Sequence, residues 1–169
     1  MPTQKAEKAI VGACGEHYVA AYLSRHELVV ALPRAGVKGS DLFVADPDSG
    51  FPIRIQAKTA RDATGRYKRR DIYSWDTTCP SQNFCNGATW YAYVSLKDWP
   101  TTDGAVPEVF FIPSTDVRKQ MLADQSADTG DKPAWSRTFF WMYADDIIQY
   151  KGAVGFAKLK IALSGPAQG

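Results

Sequence analysis

Four side chains have the types and spacing to do chemistry together: Glu16, Asp41, Gln56 and Lys58. Asp41 opens a short apolar stretch, Asp41-Leu-Phe-Val-Ala45. Gln56 and Lys58 stand two apart near the end of the next, Phe51 to Thr59. Two carboxylates, an amide oxygen and nearby backbone carbonyls are hard oxygen ligands, suited to Mg²⁺ or Mn²⁺ rather than zinc. A divalent ion held this way keeps waters, one of which can become a nucleophile. A lysine beside it can help lower the pKa of that water or steady charge developing on a phosphate. The combination suits hydrolysis of a phosphodiester.

The elements that must position these groups can be read from periodicity. Residues 41–45 and 51–59 read as two strands, joined by the turn Asp46-Pro-Asp-Ser-Gly50, where proline sets φ and glycine permits the left-handed region. Alternation along the second strand puts Phe51, Ile53, Ile55 and Ala57 on one face and Arg54, Gln56 and Lys58 on the other. A turn over Pro47 to Gly50 pairs Asp46 with Phe51 and brings Asp41 opposite Gln56. Residues 3–25 read as a helix with Thr3 as its N-cap. At about 100° per residue, Ala9, Ala13, Ala20 and Leu23 fall on the same side as Glu16. This predicts Glu16 in the middle of a small-residue face packed on the sheet, with Gly12 and Gly15 allowing a close approach. A carboxylate there needs a cation or hydrogen-bond donors, and the polar corner of the hairpin supplies them.

The remaining pattern completes one α/β or α+β domain around a mixed sheet. A strand is expected over 28–32 and a loop over 33–40. The stretch 60–88 has a poor pattern, with a short helix around 81–85. Strands follow over 90–96 and 108–113, then a helix from Ser114 to about Ala123 and a polar loop over 124–133. Residues 137–143 read as strand or buried turn, 145–159 as a final helix weakened by Gly152 and Gly155, and 164–169 as a loose tail after a domain spanning 1–163.

Composition narrows the class. The 45% hydrophobic and 22% charged shares of 169 residues are those of a soluble globular domain. Three cysteines without a CxxC pair, Cys14, Cys79 and Cys85, argue for a reducing compartment and against a disulfide framework or zinc knuckle. With no apolar leader and no spanning run, the expected location is the cytoplasm, with no membrane partner. A net charge of +2 does not by itself imply a nucleic-acid partner.

Glu16 on the first helix, Gly39-Ser-Asp41 opening a strand and Gln56-Ala-Lys58 ending the next resemble the PD-(D/E)XK nuclease superfamily, with the restriction endonuclease-like αβββαβ core. The QxK ending is similar to that of Mrr-type restriction endonucleases, and the arrangement also resembles archaeal Holliday-junction resolvases. The resemblance covers residues 5–60. It implies a metal, Mg²⁺ or Mn²⁺, held by Asp41, Gln56 and the carbonyl of Ala57, with Glu16 contacting the metal or its water and Lys58 catalytic. It implies a DNA endonuclease; with no appended recognition domain in view, a structure-reading or weakly sequence-specific enzyme is expected, with no small-molecule cofactor. A homodimer fits, because cutting two strands calls for two sites. Two positions depart from the pattern: Ser40 stands where the family has proline, and Gln56 where it has an acid.

The residues after the hairpin fit a phosphate-rich partner. Arg54, Lys58, Arg61, Arg66, Lys68, Arg69 and Arg70 lie against only Asp62 and Asp71, an excess of five positive charges. With Tyr67 and Tyr73 alongside, such a segment can track a backbone and stack on a base. His17 and His26 have no spaced partners and read as surface or packing residues. The aromatics Trp90, Tyr91, Tyr93, Phe110, Phe111, Phe139, Phe140 and Trp141 read as core, and Trp75 and Trp135 as candidates for an interface. A second reading keeps the scaffold without the catalysis: a silent nuclease-fold protein that binds nucleic acid or a protein partner.

Overall fold

The computed structural model describes residues 4–33, 40–77, 88–126 and 139–165. It is α+β. A five-stranded mixed sheet, in the order β1-β2-β3-β6-β7, is flanked by helices on one face and by a helix and a smaller sheet on the other.

Helix α1 (Gln4–Arg25) ends without a glycine. Glu27 takes the left-handed conformation (φ 65°). The Leu28 N–H then donates to the Leu23 carbonyl at 3.3 Å and the Glu27 N–H to that of Ser24 at 3.0 Å. This is a Schellman closure, and its two apolar residues, Leu23 and Leu28, are both buried. The chain then runs as an antiparallel meander, β1 (Val29–Ala31), β2 (Leu42–Ala45) and β3 (Pro52–Ala60). The turn between β2 and β3 is built by Asp46, whose Oδ1 accepts from the N–H groups of Asp48 at 2.9 Å and Ser49 at 3.0 Å. Gly50 closes it at φ 63°.

Beyond β3 the structure departs from the weak pattern over 60–88. Thr64–Tyr67 (β4) and Arg70–Asp76 (β5) form a hairpin. Its two-residue turn, Lys68-Arg69, has both residues left-handed, at φ 47° and 67°. That is the geometry of a tight hairpin turn usually marked by Asn-Gly, so its sequence signal was absent. The short helix expected around 81–85 lies outside the described residues. Strand β6 (Thr89–Ser95) then runs parallel to β3 and β7 (Glu108–Pro113) antiparallel to β6. All seven residues of β6 are buried, as a central strand covered on both faces must be. Helix α2 (Ser114–Ser126) runs past the expected end at Ala123. β8 (Phe139–Tyr143) is a strand and pairs with β5, making the second sheet β4-β5-β8.

The expected helix over 145–159 is broken into α3 (Ala144–Ile147), a 3-10 turn (Ile148–Tyr150) and α4 (Gly152–Leu163). Lys151 between them is extended (ψ 135°) and bridges to Phe110 of β7. Gly155 lets α4 pass close by: a Cβ there would stand 1.9 Å from the Tyr150 carbonyl oxygen.

Two cores result. One, under α1 and α4, gathers Val19, Leu23, Leu42, Ile53, Ile55, Ala92, Phe111 and Leu159. The other, under α2 and the small sheet, gathers Trp75, Tyr91, Tyr93, Phe110, Ile112, Val117 and Phe140. Trp75 is 1% exposed and belongs to this core, not to an interface. Tyr73 stacks on Trp75 with its hydroxyl donating to Glu108, so it is not free to meet a base. Trp141, read from sequence as core, is only half-buried.

Candidate active site

The hairpin that carries the candidate residues has the expected register. Leu42 pairs with Ile55 and Ala45 with Pro52, a register that brings Asp41, in a bend just ahead of β2, beside Gln56. Its N–H donates to the Ile55 carbonyl at 2.9 Å. The alternation also holds: Ile53, Ile55 and Ala57 are buried, while Arg54, Gln56 and Lys58 are half-buried on the other face.

Just ahead of β2, the Asp41 side chain takes over as partner of β3. Its Oδ2 accepts from the Ala57 N–H at 2.8 Å. An extended residue sends its N–H and C=O to the same edge of its strand. The Ala57 carbonyl therefore opens toward Asp41, at the place where the pairing with β2 stops. Ser40, in the position where the family pattern has proline, is 3% exposed, and its hydroxyl donates to the Leu42 carbonyl at 2.9 Å. It secures the start of β2 without a fixed φ.

Glu16 arrives from α1, but not from the middle of the packed face. The buried stripe runs through Gly15, Val19 and Leu23, with Val11, Cys14, Tyr18 and Tyr22 packed against the core. Ala9 and Ala13 face solvent. The larger apolar residues set the face, because they gain more from burial than alanine does. Glu16 therefore sits at the margin of that face, half-buried. Gly15 explains how it comes so close. A Cβ at position 15 would lie 1.8 Å from Thr59 Oγ1, so the helix backbone rests directly on β3 one residue beyond Lys58.

Electrostatics tie the three ionisable groups together. Burial is the main cause that raises the Asp41 pKa, opposed by the Ala57 N–H and the Lys58 charge. Burial also raises Glu16, and the Asp41 charge raises it further, against His17 and Lys58. Two partly desolvated acids thus repel each other beside one lysine. Lys58 forms none of the ion pairs among the described residues. No three His, Cys, Asp or Glu side chains converge as a metal cluster among the described residues. The donors that fit a divalent ion are the Asp41 and Glu16 carboxylates, the Gln56 amide oxygen and the Ala57 carbonyl, all hard oxygens. Acids whose charge is raised in cost by burial and by each other gain from such an ion.

From Lys58 a cleft of about 540 Å³ continues between α1 and the ends of β3 and β5, lined by Glu7, Lys8, Val11, Thr59, Arg61 and Asp76. Arg61 pairs there with Glu7 at 2.6 Å, and Lys8 stands 3.9 Å from Asp76.

The basic residues are not gathered at this site. Arg54 lies on β3, on the face of Gln56 and Lys58, and Arg61 in the cleft. Arg66, Lys68, Arg69 and Arg70 are exposed at the tip of the β4-β5 hairpin, and Tyr67 is half-buried beside them. Arg66 pairs with Asp71 and Arg70 with Asp145, each at 3.6 Å. His17 is exposed, and His26 stacks on Phe156 with centroids 4.3 Å apart. Cys14 is a free thiol; Cys79, Cys85 and Trp135 lie outside the described residues. No helix of the described residues is long and apolar enough to cross a membrane.

No protein-family model matches the chain, and no curated protein does. Among solved structures it is similar to a bacterial homing endonuclease, I-Ssp6803I, at 14% identity and a TM-score of 0.49, over 99% of this chain and 97% of that one.

Proposed function

We propose that the chain is a metal-dependent DNA endonuclease of the PD-(D/E)XK kind, with Asp41, Gln56, Lys58 and Glu16 as its active site. The observation that carries this is the Asp41 carboxylate held on the Ala57 N–H just ahead of β2, with Glu16 and Lys58 near enough for their charges to be felt there. Asp41, held in place by the Ala57 N–H, presents its remaining oxygen together with the Ala57 carbonyl and the Gln56 amide. These groups would hold Mg²⁺ or Mn²⁺, which would polarise a phosphate oxygen and supply a bound water as nucleophile. Glu16, on the helix side, would hold such a water. Lys58, free of an ion pair, donates to the phosphate as negative charge builds on it. The cleft beyond Lys58 seats the flanking strand, and the hairpin tip meets phosphates further along. DNA is the partner, and a homodimer would serve both strands.

The test is cleavage of plasmid, linear, single-stranded and branched DNA with Mg²⁺ or Mn²⁺. Lys58→Ala is expected to lower the rate by about 10²–10⁴-fold, the range for a positioned proton-transfer or charge-stabilising group, and Asp41→Ala to abolish it. Cleavage that survives both substitutions refutes the assignment. A neutral Gln56 in an acidic position favours a second reading, a silent fold that binds DNA without cutting it. That reading predicts no cleavage, while DNA affinity still falls and its salt slope flattens when Arg66, Lys68, Arg69 and Arg70 are neutralised.

A further inference from the structure

Strand β8 is apolar on both faces, and only one of them faces the core between the two sheets. Phe140 and Met142 point into the core that holds Trp75 and Phe110. Trp141 and Tyr143 alternate to the outer face and are half-buried. Tyr67 reaches them from β4, across β5. Its ring centroid lies 5.3 Å from that of Trp141, which lies 5.4 Å from Tyr143. The three rings converge over Ile72, which pairs with Tyr143 on this outer side and yet is only 8% exposed.

Cations lie against the rings. The Arg70 guanidinium lies over the Tyr143 ring, 3.6 Å from its centroid, and covers that face, while Lys68 Nζ stands 5.3 Å from the centroid of Tyr67. Arg69 is exposed beside them at the turn. The acid beside them is Asp145, paired with Arg70; Asp71, paired with Arg66, alternates to the other side of the hairpin.

Covering one isoleucine does not require three rings that stay half-exposed. A flat sheet face with aromatic rings and flanking cations is instead the arrangement that stacks bases and neutralises phosphates. Paired bases in a duplex stack on one another and hide their faces; only an unpaired base offers one. The geometry points to a binding face for unpaired nucleotides of DNA, with Tyr67 and Trp141 stacking bases and Lys68 and Arg69 meeting phosphates. Arg70 begins β5 and Asp76, in the cleft beside Lys58, ends it; Trp141 pairs with Ser74, so the face runs from roughly 7 Å to roughly 20 Å from Asp76 along the strand. This deepens the function proposed above by naming an unpaired segment as a feature of the substrate. It rests on DNA binding and not on cleavage.

The experiment is fluorescence anisotropy in EDTA, comparing a labelled oligothymidylate with a duplex of the same length. Trp141→Leu keeps an apolar cover over Ile72 but removes the broad ring face. It should weaken the oligothymidylate by about five- to a hundredfold, the worth of one stacked base, and leave the duplex unchanged. Trp141→Phe should retain most of the affinity. If Trp141→Leu fails to fold, as read by its thermal melt, Tyr67→Leu carries the same comparison. The proposal is overturned if the parent protein does not bind oligothymidylate, if the leucine variant binds it as tightly as the parent, or if both substrates weaken together. Intact binding without Mg²⁺-dependent cleavage would instead sink the nuclease reading alone.

Discussion

Replacing Gly15 by alanine tests the contact that brings Glu16 to the hairpin. The new Cβ would meet Thr59 Oγ1 at 1.8 Å and Thr59 Cβ and Cγ2 at 2.8 Å each. The closest of these falls short of ordinary contact by roughly 1.5–2 Å. Thr59 lies near the end of β3 but is held in the ladder with β6, opposite Val94, so the helix must yield more than the strand. Overpacking of this kind costs about 1–3 kcal/mol, while alanine in a helix interior recovers about 1 kcal/mol over glycine. The net loss is therefore about 0–2 kcal/mol, or a fall in Tm of up to about 8 °C at this chain length. Activity should suffer far more. A catalytic group moved by about 1 Å can lose 10²-fold, and Glu16 is the very next residue. Thermal melts and Mg²⁺-dependent cleavage rates separate the two effects. Adding Thr59→Ala removes Oγ1 and Cγ2 but leaves the Cβ at 2.8 Å, so it should restore much of the activity and not all. A Gly15→Ala protein that is more stable than the parent and fully active would show that α1 does not rest on β3 at this point.

Other outcomes follow from single contacts. Gln56→Glu restores a third acid and should tighten Mn²⁺ binding by about tenfold or more in calorimetry, since affinity follows ligand charge; unchanged binding would remove Gln56 from the ligand set. Arg69→Gly relieves a left-handed residue (φ 67°) and should stabilise the fold by about 1 kcal/mol in urea unfolding, while weakening DNA binding. Gly155→Ala drives a Cβ against the Tyr150 carbonyl at 1.9 Å and should destabilise by about 1–3 kcal/mol in the same assay. Asp46 is held below its ordinary value of 3.8 by the N–H groups of Ser49 and Asp48. Its native pKa thus lies below the unfolded one, so its contribution is full above pH 3.8 and disappears as pH falls through the lowered value. The stability gap between the parent and Asp46→Ala should accordingly be present at neutral pH and close in acid; a gap that persists in acid would mean the turn does not depend on the carboxylate.

Much of the candidate site was legible because it is local. The Asp46 turn sets the length of the loop, the loop sets the register of Leu42–Ala45, and that register brings Asp41, just ahead of the strand, beside Gln56 and Lys58. Period-two alternation likewise separated Ile53, Ile55 and Ala57 from the polar face. The direction of Glu16 was less legible, because small alanines at helical spacing carry little burial energy and the larger Val11, Val19 and Leu23 turned the helix. The β4-β5 hairpin had no readable turn, since Lys68 and Arg69 are forced into the left-handed region by strands that pair with each other and with the distant β8. The break at Lys151 was invisible for the same reason: its bridge is to Phe110, far away in the chain. What the sequence determined by itself was the set of hard-oxygen donors and the ribbon that presents them, because a short turn and strand alternation are local geometry. What only the tertiary structure decided was which helix face reaches that ribbon and where the aromatics of β8 point, because those depend on packing between segments that no local pattern relates.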